Sequence, residues 1–383
     1  METGSICVSD RDVCIVDYDV ITPYGIGAAA LMGGIFGGRS SAKKVARFST
    51  AQFPAQIACC VDGLTYHGGS SLVMQMFARL VSGHRIPTES VLLFASTVGE
   101  VDLTEQSVEG CDATPSLLRD TALRVKELFG MSAEVTVISA ACASTLAACM
   151  RARAMIASGE ADVVTVAAAD AVTEFVYAGF SSLLALDQNG ARPFDAARAG
   201  LTAGEAAGYV VFASRAYAAA HGAKTKAVLA GCGMTNDANH MTGPSRDGSG
   251  LAGAIEHALR QSSCLPADIA MIAAHGTGTS YNDGMELKAF KRIFSQPLPI
   301  YSVKGAVGHS MGSAGLTQVI SACESFSARM TPVTVGLTTP DPEAAGWAAD
   351  VSVPWRAGCD TVLAVNAGFG GINAAAVLRG LYA

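Results

Sequence analysis

The sequence is poor in charged residues and lacks any long apolar run. Only 15% of its 383 residues are charged, and no apolar stretch reaches the length of about 18 residues that a membrane-spanning helix needs. Asp and Glu outnumber Lys and Arg by 33 to 26, which argues against a general nucleic-acid-binding protein, because phosphate binding requires a basic face. Half of the residues are hydrophobic, so a wholly disordered chain is excluded and a large core is expected.

The chain also lacks the cysteine pattern of a secreted or zinc-binding protein. No Cys-x-x-Cys pair occurs, and the adjacent Cys59 and Cys60 cannot form an ordinary disulfide with each other. The first ten residues, METGSICVSD, have neither the basic start nor the apolar stretch of a secretory signal. We therefore predict free thiols in a reducing cytoplasm and no structural zinc site. Most other cysteines lie in apolar or small-residue runs, among them Cys14, Cys149, Cys232 and Cys323.

Apolar runs bounded by Gly, Asp or Ser alternate with Ala-rich stretches along the whole chain. The Ala-rich stretches 145–158 and 250–261 are predicted helices, and Pro266 follows the second and helps to end it. Continuous apolar strands that alternate with helices predict an α/β protein with a mostly parallel sheet buried on both faces. The predicted strands are 13–20, 91–97, 135–139, 162–169, 208–214, 226–231, 269–274, 300–304 and 361–366.

Cys142 is the most informative single residue. It follows a β-branched strand, lies in the sequence Ala-Ala-Cys-Ala-Ser and precedes a predicted helix. This places its sulfur on a strand-to-helix turn, where the positive end of the helix dipole and free N–H groups favour the thiolate. Small neighbours leave room for a substrate carbonyl, so we interpret Cys142 as a nucleophile. The alternative is a buried structural cysteine.

Two histidines and a lysine follow strands and enter glycine-rich turns in the second half of the chain. His275 opens the sequence HGTGT, and His309 lies five residues after Lys304. One histidine beside a cysteine is typical of a hydrolase, whereas two histidines and a lysine suit the polarisation of a carbonyl or the stabilisation of an enolate. The turn Gly368–Gly371 could present backbone N–H groups as an oxyanion hole, or it could be a flexible turn only.

The chain resembles a known family in a set of segments that spans nearly its whole length. In chain order these segments are Ile21-Thr-Pro-Tyr-Gly25, Ala141-Cys-Ala-Ser144, Arg192-Pro-Phe-Asp195, Gly204-Glu205, Asp237-Ala-Asn-His-Met-Thr242, Ala274-His-Gly-Thr-Gly-Thr279, Lys304 with His309, and Gly368-Phe-Gly-Gly371. Together they resemble the β-ketoacyl-acyl-carrier-protein synthases, the condensing enzymes of fatty acid and polyketide synthesis. Each segment alone is weak, but the ordered set is specific.

The resemblance implies an α/β fold of the thiolase-like type, with five αβαβα layers and two pseudo-duplicated halves. We expect the halves to be residues 1–215 and 216–383. The similarity of the strand-turn segments 135–144 and 361–371 favours such a duplication. The implied activity is a decarboxylative Claisen condensation of an acyl thioester with malonyl-acyl carrier protein, in a fatty acid pathway or a specialised type II polyketide or aryl polyene-like pathway.

The resemblance also implies roles for individual residues. Cys142 would carry the acyl chain, His275 and His309 would assist malonyl decarboxylation, and Lys304 would order the site. The backbone N–H groups of Cys142 and Phe369 would form the oxyanion hole. The acyl gate would consist of Phe369 with Gly368 and Gly370 and of the loop around Asp237 and His240, and the phosphopantetheine arm would bind to Thr277 and Thr279.

The resemblance further implies that no metal or bound cofactor is needed, because the phosphopantetheine arm of an acyl carrier protein carries the substrates. It implies a homodimer, or a heterodimer with a ketosynthase-like subunit, and the apolar stretch 140–150 suits a subunit interface. Carrier proteins are acidic, so a local basic patch is expected on this acidic chain. The candidates for that patch are Lys43, Lys44, Arg47, Arg192 and Arg198.

Two positions depart from the family pattern. Ala367 stands where relatives have an aromatic residue, which predicts a wider pocket or a looser gate. Gln318 replaces a glutamate that is commonly paired with the lysine, and a neutral amide cannot balance the charge of Lys304. Two other functions are therefore considered: a non-catalytic subunit resembling a chain-length factor, and a Cys-His thioesterase or acyltransferase without condensation.

Overall fold

The computed structural model describes residues 9–66, 69–81, 86–110, 114 and 116–381. The prediction that the first ten residues hold no secretory signal falls mostly on residues 1–8, which lie outside these ranges. Eleven α-helices lie in the described part of the chain. They are α1 (Ala28–Phe36), α2 (Leu72–Leu80), α3 (Val101–Val108), α4 (Leu118–Leu128), α5 (Ser144–Ser158), α6 (Glu174–Ser182), α7 (Arg215–Ala220), α8 (Ser249–Ser262), α9 (Ser280–Ile293), α10 (Lys304–Val307) and α11 (Ala314–Ala328).

Fifteen β-strands lie in the same described ranges. They are β1 (Val13–Thr22), β2 (Gly25–Ile26), β3 (Lys43–Lys44), β4 (Ile57–Ala58), β5 (Val91–Ala95), β6 (Val135–Ile138), β7 (Val163–Asp170), β8 (Ala206–Ser214), β9 (Ala227–Asn236), β10 (Ile269–Ala273), β11 (Ile300–Tyr301), β12 (Met330–Thr331), β13 (Val353–Pro354), β14 (Thr361–Gly368) and β15 (Ile372–Arg379). Each of the nine predicted strands overlaps one of them, and the predicted helices correspond to α5 and α8.

Eleven of the strands form one continuous sheet. Ten of them follow one another along the path β11-β10-β14-β15-β9-β1-β8-β7-β5-β6, and β2 pairs with β1 beside this path. Strands β1 and β5–β8 form the first set, and strands β9–β11, β14 and β15 form the second set. Read from its outer edge toward the centre of the sheet, each set has the same order, namely the third, second, fourth, fifth and first of its strands along the chain. The short pairing of β1 with β9 joins the two sets. This repeated topology agrees with the predicted duplication, while the division at residue 215 stays a prediction.

The prediction of a mostly parallel sheet is wrong. Of the nine pairings along the path, four are parallel and five are antiparallel. In the second set the reason is local: the short turn at Phe369–Gly371 connects β14 directly to β15, and such a short connection can join only antiparallel strands. The missed strand β15 lies immediately after the glycine-rich turn.

Helices cover both faces of each set of strands, which gives the five layers. Helices α5 and α11 contact each other and strands of both sets, so they form the central layer. Helices α2 and α4 pack on the outer face of the first set, and α8 packs on the second, with α9 beside it. In β5 the alternation is visible, because Leu92 and Phe94 belong to the outer core and Leu93 to the central one. The predicted αβαβα thiolase-like arrangement is confirmed.

Most of the apolar stretch 140–150 is not exposed and so cannot form a contact surface for a second subunit. Leu146, Ala148 and Cys149 are fully or almost fully buried in the central layer of this chain alone. The apolar character of this stretch therefore does not indicate a subunit interface. It reflects the position of helix α5 between the two sets of strands. The nine described cysteines are all free. No helix in the described ranges is both long and apolar enough to span a membrane.

Candidate active site

Cys142 lies in a tight turn between β6 and α5, as the sequence predicted. Ala141 has a φ of 48°, in the left-handed region, and the chain then enters α5 at Ser144. The Ser144 hydroxyl holds this turn, because it accepts a hydrogen bond from the N–H of Ala140 at 2.8 Å and donates one to the carbonyl of Ala141 at 2.6 Å. The serine of the Ala-Cys-Ala-Ser segment is thus the residue that fixes the turn beside the nucleophile.

His309 brings its ring to the Cys142 thiol. Nε2 of His309 lies 3.1 Å from Sγ of Cys142, although 167 residues separate the two in sequence. The backbone of His309 is held against the segment before β8, since its N–H donates to the carbonyl of Thr202 at 2.7 Å and its carbonyl accepts from Gly204 at 3.1 Å. Only glycine fits at position 204, because a Cβ there would lie 2.3 Å from the carbonyl oxygen of Val307.

His275 and Lys304 complete the group. The rings of His275 and His309 are nearly perpendicular, with their centroids 5.3 Å apart. Nζ of Lys304 lies 3.2 Å from Nδ1 of His275 and also donates to the carbonyl oxygen of His275. All four predicted side chains, including Cys142, are therefore brought together, and all are buried.

A buried carboxylate that the sequence reasoning did not single out supports this corner. Glu286 accepts hydrogen bonds from the N–H groups of His275 and Gly276, each at 2.7 Å, and from the side-chain amide of Asn282 at 2.8 Å. Asp283 accepts from the N–H of Thr277 at 3.0 Å. The i, i+3 spacing of the two acids on a helix that follows the HGTGT turn was the available signal, since such residues share a helix face.

Burial controls the protonation of the basic side chains. It lowers the pKa of both His275 and His309 well below the ordinary value, and the positive charge of Lys304 lowers them further. Burial also lowers the pKa of Lys304, while Glu286, Cys142 and Asp283 oppose this change by favouring the ammonium form. At neutral pH both imidazoles are therefore uncharged rings beside a lysine, as hydrogen-bond donors to a developing anion should be.

The expectation that the turn favours the Cys142 thiolate does not hold for the empty site. Burial raises the pKa of Cys142 to about 11, and it outweighs the opposing effects of Lys304 and of the N–H groups of Phe369 and Cys142 itself. The thiol consequently stays protonated at neutral pH. Removal of its proton then requires a base at hydrogen-bond distance, and His309 is at that distance.

The N–H groups of Cys142 and Phe369 both point toward the sulfur region, because both stabilise charge on Sγ. Gly368 packs beside them: a Cβ at this position would lie 3.2 Å from the carbonyl oxygen of Ala140 and 3.3 Å from the nitrogen of Cys142. Phe369 is 38% exposed, and its ring centroid lies 6.4 Å from that of Phe180. Phe180 in turn lies 6.3 Å from the ring of His309.

The two predicted gate segments are tied to each other. Gly370, with a φ of 81°, donates to the carbonyl of Met241 at 2.7 Å. His240 lines the cavity, and its Nδ1 accepts from the N–H groups of Thr242 and Gly243, each at 3.1 Å.

Asp237 differs from His240, because it is not among the residues that line the cavity. Its carboxylate accepts from the N–H of Ser245 at 2.9 Å and from the side chain of Asn373 at 2.8 Å. Asp237 therefore holds the loop in place rather than facing an acyl chain.

One open cavity of about 930 Å³ contains the site. Cys142, His275 and His309 line it, as do Thr277 and Thr279, whose hydroxyls are 2.8 Å apart. The predicted threonine pair is thus placed on the same cavity as the thiol. The size is within the range of ligand sites, which usually have volumes of about 300–1,000 Å³.

The three arginines among the five predicted docking cations all form ion pairs within the chain. Arg47 forms a buried two-point ion pair with Glu205, at 2.6 and 2.8 Å. Arg198 has a side chain only 9% exposed and pairs with Asp341 at 2.6 Å. Arg192 pairs with Asp187 at 3.0 Å.

Of the two lysines in the predicted patch, Lys43 forms an exposed ion pair with Asp62 and Lys44 is exposed. Lys43 and Lys44 therefore stay candidates for the predicted patch, whereas Arg47 and Arg198 have almost no exposed side chain to offer a partner. Its arginines mainly hold loops together instead, because buried arginines are stable only beside acids.

A different set of cations lies beside the cavity, and we call it the basic rim: Arg246, Lys288 and Arg292, all exposed. Arg246 lines the cavity and lies over the ring of Tyr281, 5.0 Å from its centroid. Lys288 donates to the carbonyl of Arg246 at 3.0 Å, and Arg292 lies 3.7 Å from Asp247. Sequence reasoning missed this rim because its members are separated along the chain.

The structure places the two residues that depart from the family pattern, one on the cavity wall and the other in the core. Ala367 lines the cavity, so its small side chain leaves space there. Gln318 is completely buried, and its amide donates to backbone carbonyls and accepts from Asn366. Glu286 and Asp283 of helix α9 are instead the acidic side chains that favour the ammonium form of Lys304. Burial raises the pKa of both acids above the ordinary values, so they balance the charge of Lys304 less completely than exposed carboxylates would.

Cys142, His275 and His309 also form the one group of potential metal ligands in the described ranges, with one ligand atom of each lying within 4.8 Å of the others. The donor set of one sulfur and two imidazoles is chemically suited to zinc. The ammonium group of Lys304, 3.2 Å from His275, opposes a cation at this place. That the site works without a metal or cofactor stays a prediction.

Comparisons with known proteins agree with this geometry. Residues 90–218 match the family model "Beta-ketoacyl synthase, N-terminal domain", and residues 226–338 match "Beta-ketoacyl synthase, C-terminal domain". The chain is 30% identical to the tetracenomycin polyketide synthase ketoacyl synthase alpha subunit of Streptomyces glaucescens, over 97% of each chain. It is 28% identical to 3-oxoacyl-[acyl-carrier-protein] synthase 2 of Vibrio cholerae, over 97% of this chain and all of the other.

Among solved structures, the ishigamide ketosynthase/chain length factor superimposes with a TM-score of 0.86 and 27% identity, covering 98% of this chain and all of that one. The fold, the ordered segments and the two matched domains lead to the same conclusion. The chain belongs to the β-ketoacyl synthase family of type II polyketide and fatty acid synthases.

Proposed function

We propose that this protein is an active β-ketoacyl-acyl-carrier-protein synthase. Cys142 takes an acyl group as a thioester, and malonyl-acyl carrier protein then loses carbon dioxide and condenses with it. The observation that carries the proposal is the 3.1 Å contact between Cys142 Sγ and His309 Nε2 in a cavity that His275 also lines. A specialised type II polyketide or aryl polyene-like pathway is favoured over the general fatty acid pathway because Ala367 leaves the cavity wider.

The first half-reaction begins with the protonated thiol. Nε2 of His309 accepts the proton of Cys142 as Sγ attacks the carbonyl carbon of the acyl thioester. The new carbon–sulfur bond forms, the bond to the carrier sulfur breaks, and the departing thiolate receives the proton. The N–H groups of Cys142 and Phe369 hold the oxygen of the tetrahedral intermediate, where preorganised donors act most strongly.

The second half-reaction requires donors for an enolate. When the malonyl group loses carbon dioxide, negative charge appears on its thioester oxygen, and the uncharged ring of His275 donates a hydrogen bond to it. Once Cys142 is acylated, Nε2 of His309 has no thiol proton to accept, so the neutral His309 ring donates the second hydrogen bond in its other tautomer, with the hydrogen on Nε2. The enolate carbon attacks the acyl carbonyl on Cys142, and the bond from that carbon to the sulfur breaks. The sulfur leaves as a thiolate, which takes up one proton from the solvent to restore the thiol. Lys304 orders His275 through the contact at Nδ1.

The carrier protein, we infer, docks at the basic rim of Arg246, Lys288 and Arg292. Carrier proteins are acidic, and the rim is a local positive surface on a chain of net charge −7. Arg246 lies on the cavity wall, so the phosphopantetheine arm can pass it on the way to Thr277 and Thr279. The hydroxyls of these threonines would form hydrogen bonds with the amides of the arm.

A dimer is part of the proposal, formed with a second copy or with a ketosynthase-like subunit. The similar ishigamide protein is named as a ketosynthase together with a chain length factor. A cytoplasmic location is also proposed, because a catalytic thiol and eight further free cysteines need reducing conditions. Sedimentation at micromolar concentration tests the dimer, and a monomer would contradict it.

A non-catalytic partner subunit is the second candidate, since the structurally similar ishigamide protein includes a chain length factor. The intact Cys142–His309 pair favours catalysis, because a subunit that only shapes a partner's pocket has no need of a nucleophile with its base. Intact mass measurement after incubation with a panel of acyl carrier-protein thioesters distinguishes the functions. An acyl adduct on Cys142 followed by a β-ketoacyl product supports synthase activity, free acid indicates a thioesterase, and no adduct indicates the partner subunit.

A further inference from the structure

Gln318 has an orientation that its surroundings fix completely. Its Nε2 lies 3.1 Å from the carbonyl oxygen of Ala273, 2.7 Å from that of Ala274 and 3.0 Å from that of Val365. Carbonyl oxygens only accept hydrogen bonds, so the nitrogen of the amide must face them. Its oxygen, Oε1, therefore faces the other way, toward Asn366.

The orientation of Asn366 follows from that of Gln318. An acceptor at Oε1 requires a donor opposite, so Asn366 presents Nδ2 to it. The same Nδ2 lies 3.2 Å from Nδ1 of His275 and supplies its second hydrogen there. Oδ1 of Asn366 is buried with no partner among the described residues, and leaving a buried acceptor unpaired costs about 1–3 kcal/mol. The amide keeps this orientation because the reverse one would set two oxygens against each other.

Nδ1 of His275 consequently faces two donors, Asn366 Nδ2 and Lys304 Nζ, each at 3.2 Å. A ring nitrogen between two donors must be the acceptor, which places the hydrogen of the neutral ring on Nε2. We propose that Gln318 is a positioning residue which, through Asn366, keeps His275 in the Nε2–H form whether or not Lys304 is charged. This inference deepens the proposed function and rests on it for its catalytic consequence.

The consequence concerns decarboxylation alone. A His275 ring with hydrogen on Nδ1 would have no donor at Nε2 for the enolate, whereas acyl loading on Cys142 uses His309. Lys304 by itself enforces the correct form only while it is an ammonium group. With the Gln318–Asn366 pair intact, the ring stays a donor at higher pH as well.

The experiment compares three variants with the parent. Gln318→Met keeps the size but removes both ends of the amide, and Asn366→Asp presents acceptors to Nδ1 and so favours the wrong form of the ring. Thr317→Val is the matched control, because Thr317 is also buried on α11 but its hydroxyl bonds only to the carbonyl of Ala314. Release of carbon dioxide from malonyl carrier protein and acylation of Cys142 are measured from pH 6 to 10.

For Gln318→Met we expect kcat for decarboxylation to fall by about tenfold to a hundredfold, with a larger loss on the alkaline side and little change in KM or in acylation. The kcat for decarboxylation should fall further in Asn366→Asp, and in Thr317→Val it should equal that of the parent. Equal losses of acylation and decarboxylation, a pH profile of unchanged shape, or the same loss in Thr317→Val would overturn the proposal.

Nuclear magnetic resonance of the parent protein with isotope-labelled histidine gives a readout that does not depend on activity. The spectrum of His275 should show hydrogen on Nε2 at every pH at which the protein is folded. Hydrogen on Nδ1 would overturn the proposal even if the variants fail to fold. If the parent protein releases no carbon dioxide but His275 is in the Nε2–H form, the proposed function fails and the positioning role stands.

Discussion

Cys142 and His275 line the same cavity, but the chain holds them by different means. Cys142 is placed by a short local turn, in which the Ser144 hydroxyl bonds to the backbone of Ala140 and Ala141, four and three residues before the helix entry. His275 is held by side chains that come from far along the sequence: Glu286, Lys304 and Asn366. The nucleophile thus depends on local backbone geometry, and the histidine depends on a network of buried polar side chains.

This difference predicts how each part fails. A local turn keeps its shape when a side chain at its tip is shortened, so substitution of Cys142 should remove one chemical step and leave the rest. A buried network is cooperative, because each member satisfies the others and the loss of one leaves an unpaired polar group. Substitutions near His275 should therefore affect stability and pH dependence together with rate.

The largest expected effect is that of Cys142→Ala. Acyl loading should be abolished, because no other described cysteine lies at the His309 ring, while malonyl decarboxylation should persist through His275 and His309. Transfer of a radiolabelled acyl group and release of carbon dioxide are the two measurements, with Cys60→Ala as the control that keeps both. Acylation of the Cys142→Ala protein at the same peptide would disprove the assignment of the nucleophile.

The next largest effect is expected for His275→Ala, which should lose condensation and keep acyl loading, the reverse of Cys142→Ala. Removal of one preorganised donor lowers rates by about a hundredfold to a thousandfold, so condensation should fall by this factor while acyl loading survives in large part. His309→Ala should reduce both steps, because its ring serves the thiol as well as the enolate. The two losses need not be additive in the double variant. Condensation at the parental rate in either single variant would show that these rings do not carry the chemistry.

Glu286→Gln tests the network through its pH dependence. Glu286 favours the ammonium form of Lys304 and so opposes the lowering of its pKa by burial. Without this charge the pKa of Lys304 should fall further. The ammonium form exists only below that pKa, and its charge favours the thiolate of Cys142. The part of acyl loading that depends on this charge should therefore be lost at a lower pH than in the parent.

The amide of Glu286→Gln also cannot accept from all three N–H donors, which should lower the free energy of unfolding by about 1–3 kcal/mol. Activity profiles from pH 6 to 10 and thermal unfolding measure the two effects. Glu343→Gln is the control, since it removes an exposed partner of Lys291. If the activity of Glu286→Gln falls at the same alkaline pH as that of the parent, Glu286 does not control the protonation of Lys304.

The same contrast explains what could be predicted from the sequence. Cys142 and the two histidines stand out because each follows an apolar strand and enters a turn of small residues, which is a local pattern. Gln318 drew attention only as a departure, and its contacts with Ala273, Val365 and Asn366 join three separate elements. No local pattern encodes such contacts, so they became visible only in the folded chain.

The sheet shows the same limit. Apolar runs predicted where the strands lie, and every predicted strand was found. The relative direction of neighbouring strands was predicted wrongly, because an antiparallel strand that is buried on both faces has the same continuous apolar run as a parallel one. The arginines failed for a related reason: sequence shows that Arg47 is charged, but not that Glu205, 158 residues away, pairs with it.

Ala367→Phe tests whether the cavity wall beside Cys142 sets the size of the acyl group that is loaded. The added ring would occupy space next to Phe369 and the nucleophile, so loading of long or rigid acyl groups should slow while short groups load nearly as before. Rates of Cys142 acylation with a series of acyl chain lengths measure this, and Ala367→Ser controls for the loss of alanine. The same rate ratio between long and short chains as in the parent would exclude Ala367 from the acyl pocket.

The smallest expected effect concerns where the carrier protein docks, on the second half of the chain at Arg246 or on the first half at Lys44. Arg246→Glu reverses one charge of the basic rim, and exposed charge pairs contribute about 0.2–1 kcal/mol, which corresponds to a rise in KM of up to about fivefold. The rise should appear with acyl carrier-protein substrates at low ionic strength and disappear at high salt, because exposed charges are screened.

Two comparisons make the docking experiment specific. A small acyl thioester without the carrier protein should react with the Arg246→Glu variant at the parental rate, because it lacks the acidic protein surface that the basic rim would bind. Lys44→Glu is the matched charge reversal on the other half and should leave KM unchanged. If Lys44→Glu raises KM and Arg246→Glu does not, the carrier protein docks on the first half, and the basic rim has no part in recognition.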